Sequence, residues 1–349
     1  MPKVGIIGAP AELAAELVSL LVERDFDLAD LRILGDPEAE GEVVEVGPAR
    51  LRVESATSEH LEGLATVLFL GDGTLAARLA DEVVRSGALV IDATPFARRL
   101  GRAPLVVPEV NAGRASSLGG HGLLASPMPT SVGVAIALAP LHAAIGVRRA
   151  SVTAFESASQ RGAEGPEELS RQTVALVQGQ GHDRDEFPEQ LAFNLRPQVA
   201  ADASGWAVEE SALASEVAAL LGEPKVALVA TVVRAPVFFG AAATIHAELA
   251  RPVTADEIRE LLRTAPGVFL AGSLPARPRD DDEGDYDLQT DERPGPVEVT
   301  GSDAIHVARV RVDPEDPAHV ALWIAFDDVR KGIAQNVIGI LEIALRSRG

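Results

Sequence analysis

"KVGIIGAPAELAAELVSLLVERDF", residues 3–26, is the stretch on which the fold turns. Its first half is a short apolar run closed by Gly8, and its second half repeats leucine, alanine and valine at helical spacing. A strand that breaks at glycine and passes straight into a helix is the first half of a βαβ unit. The same alternation continues outward. "LADLRILGD" (28–36), "ATVLFLGDG" (65–73) and "ALVIDAT" (88–94) are further short apolar runs, and "TLAARLADEVVRSG" (74–87) is helical. Strands alternating with helices predict a doubly wound parallel sheet for about the first 126 residues.

Beyond that point the pattern changes. From Val147 to Phe326 the chain has longer β-rich runs, "PKVALVATVVRAPVFFGAAATIHAEL" (224–249) and "DAIHVARVRVDPEDPAHVALWIAF" (303–326), with helices near 164–179, 208–221 and 254–264. This predicts an α+β domain with a mostly antiparallel sheet. The amphipathic stretch "DVRKGIAQNVIGILEIALRSRG" (328–349) is expected to pack back on the first domain. The expected division is therefore 1–126 plus 327–349, a Rossmann-type domain, and 127–326, the second domain. Within the latter, "RPRDDDEGDYDLQTDERPGP" (277–296) reads as a solvated acidic loop. Asp280, Asp282 and Asp285 lack the terminal glutamate of a calcium loop, so no metal is expected.

Composition narrows the function classes. The chain of 349 residues carries 31 basic and 52 acidic side chains, a formal charge of −21, which argues against nucleic acid. It has no cysteine, which removes disulfides, thiolate metal sites and thiol nucleophiles together. Lysine occurs only at Lys3, Lys225 and Lys331, so an anion site has to come from arginine or backbone N–H groups. No apolar run reaches membrane-spanning length and "MPKVGIIGAP" enters a strand directly, so a cytoplasmic protein without a membrane partner is expected.

Four segments, "PLVVPEVN" (104–111), "LAFNLRPQ" (191–198), "VVRAPVFFG" (232–240) and "DDVRKGIAQN" (327–336), occur in an order that resembles the aspartate-semialdehyde dehydrogenase family over almost the whole chain. The resemblance implies an NADP-binding Rossmann domain completed by the C-terminal helix, and a second domain carrying catalytic residues and a dimer interface. It also implies chemistry through a cysteine thioester. Laid on "SPMPTSVGVAIAL" (126–138), the cysteine falls on Pro129 and the first asparagine of its turn on Ser126. The substrate-orienting glutamine falls on Glu156 in "TAFE", and the acid–base histidine, seven residues after Arg234, on Ala241. The glutamate-x-lysine pair falls on Glu210 and Ala212, and the arginine of the phosphate clamp on Arg98. Among its members the chain is most similar to the Usg-type homologues, which lack the cysteine.

Arg98, Glu210 and Arg234 are the substrate- or anion-binding positions that the resemblance implies. For the two arginines a relic anion site and structural pairing with Glu156 or Glu210 both stay open. The cofactor side comprises Gly5, Gly8, Ala9, Pro10 and Ala11 of the glycine loop, Asp36, Gly71 and Asn336. Alanine at position 11 is expected to strain the loop if a positive φ is required there. Asp36, Glu38 and Glu40 after the second strand repel an adenosine 2′-phosphate, and an acid there accepts from a ribose hydroxyl; this favours NAD over NADP. Thr130 or Ser131 is expected to cap the following helix, since a hydroxyl nucleophile needs a base and the histidine position is Ala241. His121 and His246, in apolar β-rich stretches, read as satisfied core histidines.

Two functions follow. One is a homodimer without dehydrogenase activity, acting as scaffold, regulator or partner, heterodimerisation with an active paralogue included. The other is an oxidoreductase of the same type with altered chemistry or substrate, binding NAD(P).

Overall fold

The computed structural model describes residues 3–101, 103–117, 122–182, 184–198, 204–272 and 293–346. They fall into two compact units, Met1–Pro127 with Ile333–Gly349, and Met128–Gly332.

The first unit is built on a seven-stranded sheet in the order β3-β4-β2-β1-β5-β6-β7. The strands are β1 (Val4–Ile7), β2 (Leu31–Gly35), β3 (Val43–Val46), β4 (Ala49–Ser55), β5 (Thr66–Phe69), β6 (Leu89–Asp92) and β7 (Gly122–Ala125). All neighbours are parallel except β3 and β4, a hairpin that the sequence pattern did not reveal. The four residues of β1 are fully enclosed, as expected where helices cover both faces of a parallel sheet. The helices are α1 (Ala11–Glu23), α2 (Ser58–Leu61), α3 (Thr74–Arg85), α4 (Pro95–Leu100), α5 (Pro108–Asn111) and α6 (Gly113–Ser116). On one face, Leu17, Val18 and Leu21 of α1 join Ile6 and Ile91 of the sheet in one core; on the other, Leu75, Leu79 and Val83 of α3 pack with Ile7 and Phe69.

The second unit carries helices α7 (Pro129–Ala144), α8 (Glu164–Val177), α9 (Val208–Leu221) and α10 (Ala255–Arg263). Its strands are β8 (Val147–Glu156), β9 (Arg196–Pro197), β10 (Ala227–Arg234), β11 (Ala241–Leu249), β12 (Val268–Leu270), β13 (Ile305–Val312) and β14 (His319–Phe326). They form a sheet in the order β12-β13-β14-β11-β8-β10-β9, antiparallel except for β12–β13 and β8–β10. Helix α7 is apolar on every side and buried along most of its length, the mark of a helix inside a core.

The chain ends with α11 (Asn336–Arg346), whose Val337, Ile340 and Leu341 complete the α1 side of the first core. Residues 327–332, grouped with the first domain on sequence, cluster with the second unit. Of the acidic run 277–296, residues 277–292 lie outside the described residues; its end is anchored, not loose, because Pro294 O accepts from Trp323 Nε1 at 2.7 Å. No helix among the described residues is long and apolar enough to cross a membrane.

Candidate functional site

In the second unit, strand register brings together Arg234, Glu156 and Ala241, three of the positions singled out by the resemblance. Arg234 on β10 pairs with Glu156 on β8, Glu156 with Ala241 on β11, and Ala241 with Phe326 on β14. Directly paired residues point to the same face of a sheet, so these four side chains form one row. Helix α7 covers that row, beginning at Pro129.

The start of α7 differs from the expected cap. Met128 is the residue before the helix and Pro129 the first residue in it, with no side-chain cap. Proline suits that place because its missing N–H would have no intrahelical partner and its φ is already helical. The Met128 N–H is held at 2.8 Å by Glu216 Oε2 from α9. Thr130 and Ser131, both fully buried, are thereby moved past the cap: Ser131 Oγ has no partner, and Thr130 Oγ1 donates to Glu156 Oε1 at 2.8 Å. A carboxylate base does therefore stand beside a hydroxyl here, contrary to the expectation drawn from Ala241 alone.

Glu156 is also the ion partner of Arg234, with Oε2 at 3.6 Å from Nη1, and Arg234 donates from the same nitrogen to Ser157 O at 2.9 Å. Both side chains are almost wholly enclosed. Burial pushes the Glu156 carboxyl up, against the pull of Arg234 and the Thr130 hydrogen bond. Of the two readings left open for Arg234, the structure forms the pair with Glu156. Next to it Asp328, which sequence reasoning passed over, accepts from Ser157 Oγ (3.2 Å), Ser159 Oγ (2.7 Å), Gln160 Nε2 (2.9 Å) and Gly240 N (2.7 Å). Burial raises its pKa too, and these donors oppose the rise.

Glu210 is equally committed. Its carboxylate accepts from Ala207 N (3.1 Å), capping α9, and from Val232 N (3.2 Å). Each carboxylate oxygen thus holds one backbone N–H, and the residue ties the start of α9 to β10. His246 is exposed on β11 and not in the core, because its strand position faces outward while Ile245 and Ala247 face in. His121 lies outside the described residues.

In the first unit, Asp92 at the end of β6 accepts from Thr94 N (2.8 Å) and Ala97 N (2.7 Å), and its main-chain oxygen accepts from Ser126 N at 2.8 Å. Burial raises the Asp92 pKa; these hydrogen bonds and the charge of Arg98, on α4, oppose it. Asn336, first in α11, donates to Ser126 Oγ (2.7 Å) and Val106 O (3.1 Å), and its Oδ1 is buried without a partner. Gly8 has φ +74, and a Cβ there would lie 2.9 Å from Leu70 O. Gly71, φ +84, faces Gly8 O so closely that a side chain would collide with it. Gly5 is a packing glycine in β1, where a Cβ would meet Leu64 Cδ1 at 2.7 Å; it does not belong to the loop. Ala11 opens α1 and has no positive φ, so the loop is unstrained, contrary to expectation. Pro10 precedes it at φ −55, a value that proline prefers.

Ala11 and Glu12 expose the first turn of α1, whose N–H groups have no partner within the helix. A pyrophosphate fits such a turn, with the Glu12 carboxylate opposing it in part. Asp36 follows β2 and is half exposed, 3.6 Å from Arg78. Among the described residues, no group of three or more His, Asp and Glu side chains is placed to hold a metal.

Residues 3–117 match the model described as "Semialdehyde dehydrogenase, NAD binding domain", and residues 138–331 the one described as "Semialdehyde dehydrogenase, dimerisation domain". The chain is 30% identical over 346 residues to aspartate-semialdehyde dehydrogenase 2 of Vibrio cholerae, covering 98% of this chain and 97% of that one. It is 34% identical to a protein called USG-1 protein homolog in Pseudomonas aeruginosa, over 98% of this chain and 97% of the relative. The crystal structure of aspartate semialdehyde dehydrogenase II from Vibrio cholerae superimposes with a TM-score of 0.87 at 29% identity, over 99% of this chain and 98% of the other. The fold, both domain matches and the near full-length relatives agree: the chain belongs to the semialdehyde dehydrogenase family.

Proposed function

We propose that this chain is a dimeric aspartate-semialdehyde dehydrogenase homologue without dehydrogenase activity, serving as a scaffold, regulator or partner protein. One observation carries the reading. Where the resemblance puts the thiolate nucleophile stands Pro129, and the polar groups beside it, Thr130, Glu156 and Arg234, are bound to one another and closed from solvent. A thiolate, an imidazole and a phosphate-binding ammonium act at successive stages of the family's chemistry. Here Pro129, Ala241 and Ala212 replace all three, and general acid–base help alone is worth about 10²- to 10⁴-fold.

The domain match and the loop support dinucleotide binding by Gly8, Ala9, Pro10 and Ala11 at the pyrophosphate, and by Asp36 at the adenosine ribose, in favour of NAD over NADP. A bound nicotinamide would accept or give hydride; this chain's residues would only hold and orient it.

The second reading, an enzyme of changed chemistry, draws on the Thr130–Glu156 hydrogen bond, a hydroxyl next to a carboxylate base. Its weakness is that neither group reaches solvent.

One set of assays separates the two. Phosphate-dependent reduction of NAD or NADP with aspartate semialdehyde is measured for the unaltered protein, Pro129→Cys, and Pro129→Cys with Ala212→Lys and Ala241→His. The unaltered protein and the single variant are expected to show nothing above background. Robust turnover by the unaltered protein overturns the proposal. Calorimetry with both dinucleotides completes the set, and tighter binding of NADP refutes the role given to Asp36.

A further inference from the structure

In a chain with 21 more acidic than basic side chains, four arginines converge on one cavity of about 300 Å3 in the second unit. Arg259 and Arg263 reach it from α10, Arg309 and Arg311 from β13, and Leu270 and Val310 supply apolar lining. We propose that this cavity is a binding site for a small, multiply charged phosphate compound, separate from the positions that the family's chemistry uses.

Three observations support it. The first is charge. Arg259 pairs with Asp256 at 3.0 Å and Arg263 with Glu260, each three residues apart on one helix face. Exposed pairs of this kind are weak and screened by water, so an incoming anion competes with them easily. Neither Arg309 nor Arg311 pairs with a carboxylate among the described residues; Arg311 Nε donates to Arg309 O at 3.2 Å. The second is backbone. Arg309 has φ +51, a region that side-chain-bearing residues seldom enter, and the register of β13 against β14 shifts between Ala308 and Arg311. Arg309 and Arg311 are both exposed, with the buried Val310 between them, so the two guanidinium side chains leave the strand on the same side. Strain of this kind persists where the surroundings hold it, and it clusters at ligand sites.

The third is shape. Planar guanidinium forks match phosphate oxygens in pairs, and arginine stays charged throughout the accessible pH range. The cavity is at the small end of ligand pockets, and none of the described residues that line it is aromatic, so none offers a ring on which a base would stack. A compact polyphosphate or phosphorylated metabolite fits it better than a nucleotide does.

The probes are inorganic pyrophosphate and inorganic triphosphate, titrated calorimetrically into the full-length protein at low and high salt, with citrate as the carboxylate comparison. Saturable binding of the phosphate probes is expected, stronger than that of citrate and weakened by salt. Arg263→Gln lies on an exposed helix face, and Arg309→Asn keeps a residue that tolerates positive φ, so neither threatens folding. Together they are expected to weaken pyrophosphate at least about tenfold, with far-UV circular dichroism unchanged. No saturable binding at low salt, citrate binding as tightly, or a double variant that binds like the unaltered protein would each overturn the proposal.

Discussion

At the level of single residues, the Glu156–Arg234 pair is an ion pair enclosed in the core of the second unit. Removing one partner of an enclosed ion pair strands the other charge away from water, which costs about 3–5 kcal/mol. Glu156→Gln should therefore lower unfolding stability by that order, and the double change with Arg234→Met should cost much less than the sum. Urea denaturation measures both; a Glu156→Gln variant as stable as the unaltered protein means that the pair contributes nothing. His306 yields a pH dependence. Burial lowers its pKa to about 4 from 6.5, and Ser302 Oγ lies 2.7 Å from its Nε2. Between those two values the unfolded chain binds a proton that the native state refuses, so this group makes stability fall as pH drops. The raised carboxyls of Glu156, Asp92 and Asp328 act in the opposite sense: the native state takes up their protons first, so they favour folding as pH falls. The isolating measurement is the difference between the unaltered protein and His306→Gln at pH 6.5 and at pH 4.5. The variant should gain relative stability at the lower pH, and an unchanged difference refutes the assignment.

Among elements, α7 is the one whose surroundings decide most. Its Gly133 lies under the ring of Phe326, and a Cβ there would come within 2.5 Å of Cε1. Neither atom set has room to give in a core packed on all sides. Gly133→Ala should cost about 1–3 kcal/mol by overpacking, despite alanine's better helix propensity. Adding Phe326→Leu should recover part of the loss, a coupling that a double-mutant cycle reads directly. If the two changes add independently, the contact is not what requires glycine. A glycine inside an apolar helical pattern was the available signal for this, since it commonly marks a close approach. What approaches it was not legible, because Phe326 is 193 residues away in the chain.

For the whole molecule, association is the outcome that matters most. Phe193, Leu195, Trp206, Phe238 and Phe239 of the second unit are between 44% and 69% exposed, and Phe193, Leu195 and Pro236 line one hollow. Large apolar side chains left exposed are suited to an interface, and a self-complementary dimer would cover each of them on both subunits. Light scattering at low concentration should give the mass of a dimer, and Leu195→Asp with Phe238→Asp should give that of a monomer. A monomeric unaltered protein is incompatible with this assignment.

Hydrophobic periodicity in the chain was enough to determine the two-unit α/β architecture. Strand and helix periods are local properties, and they specify which face of each element is buried. The family resemblance singled out Pro129, Glu156, Arg234 and Ala241 as the positions to compare. Tertiary structure decided what those residues do. That Glu156 neutralises Arg234 depends on the parallel register of β8 and β10, that Thr130 reaches Glu156 depends on how α7 lies over the sheet, and that four arginines share one cavity depends on α10 beside a bulged β13. Charge pairing and burial depend on distances between segments far apart in sequence, and no local pattern encodes them.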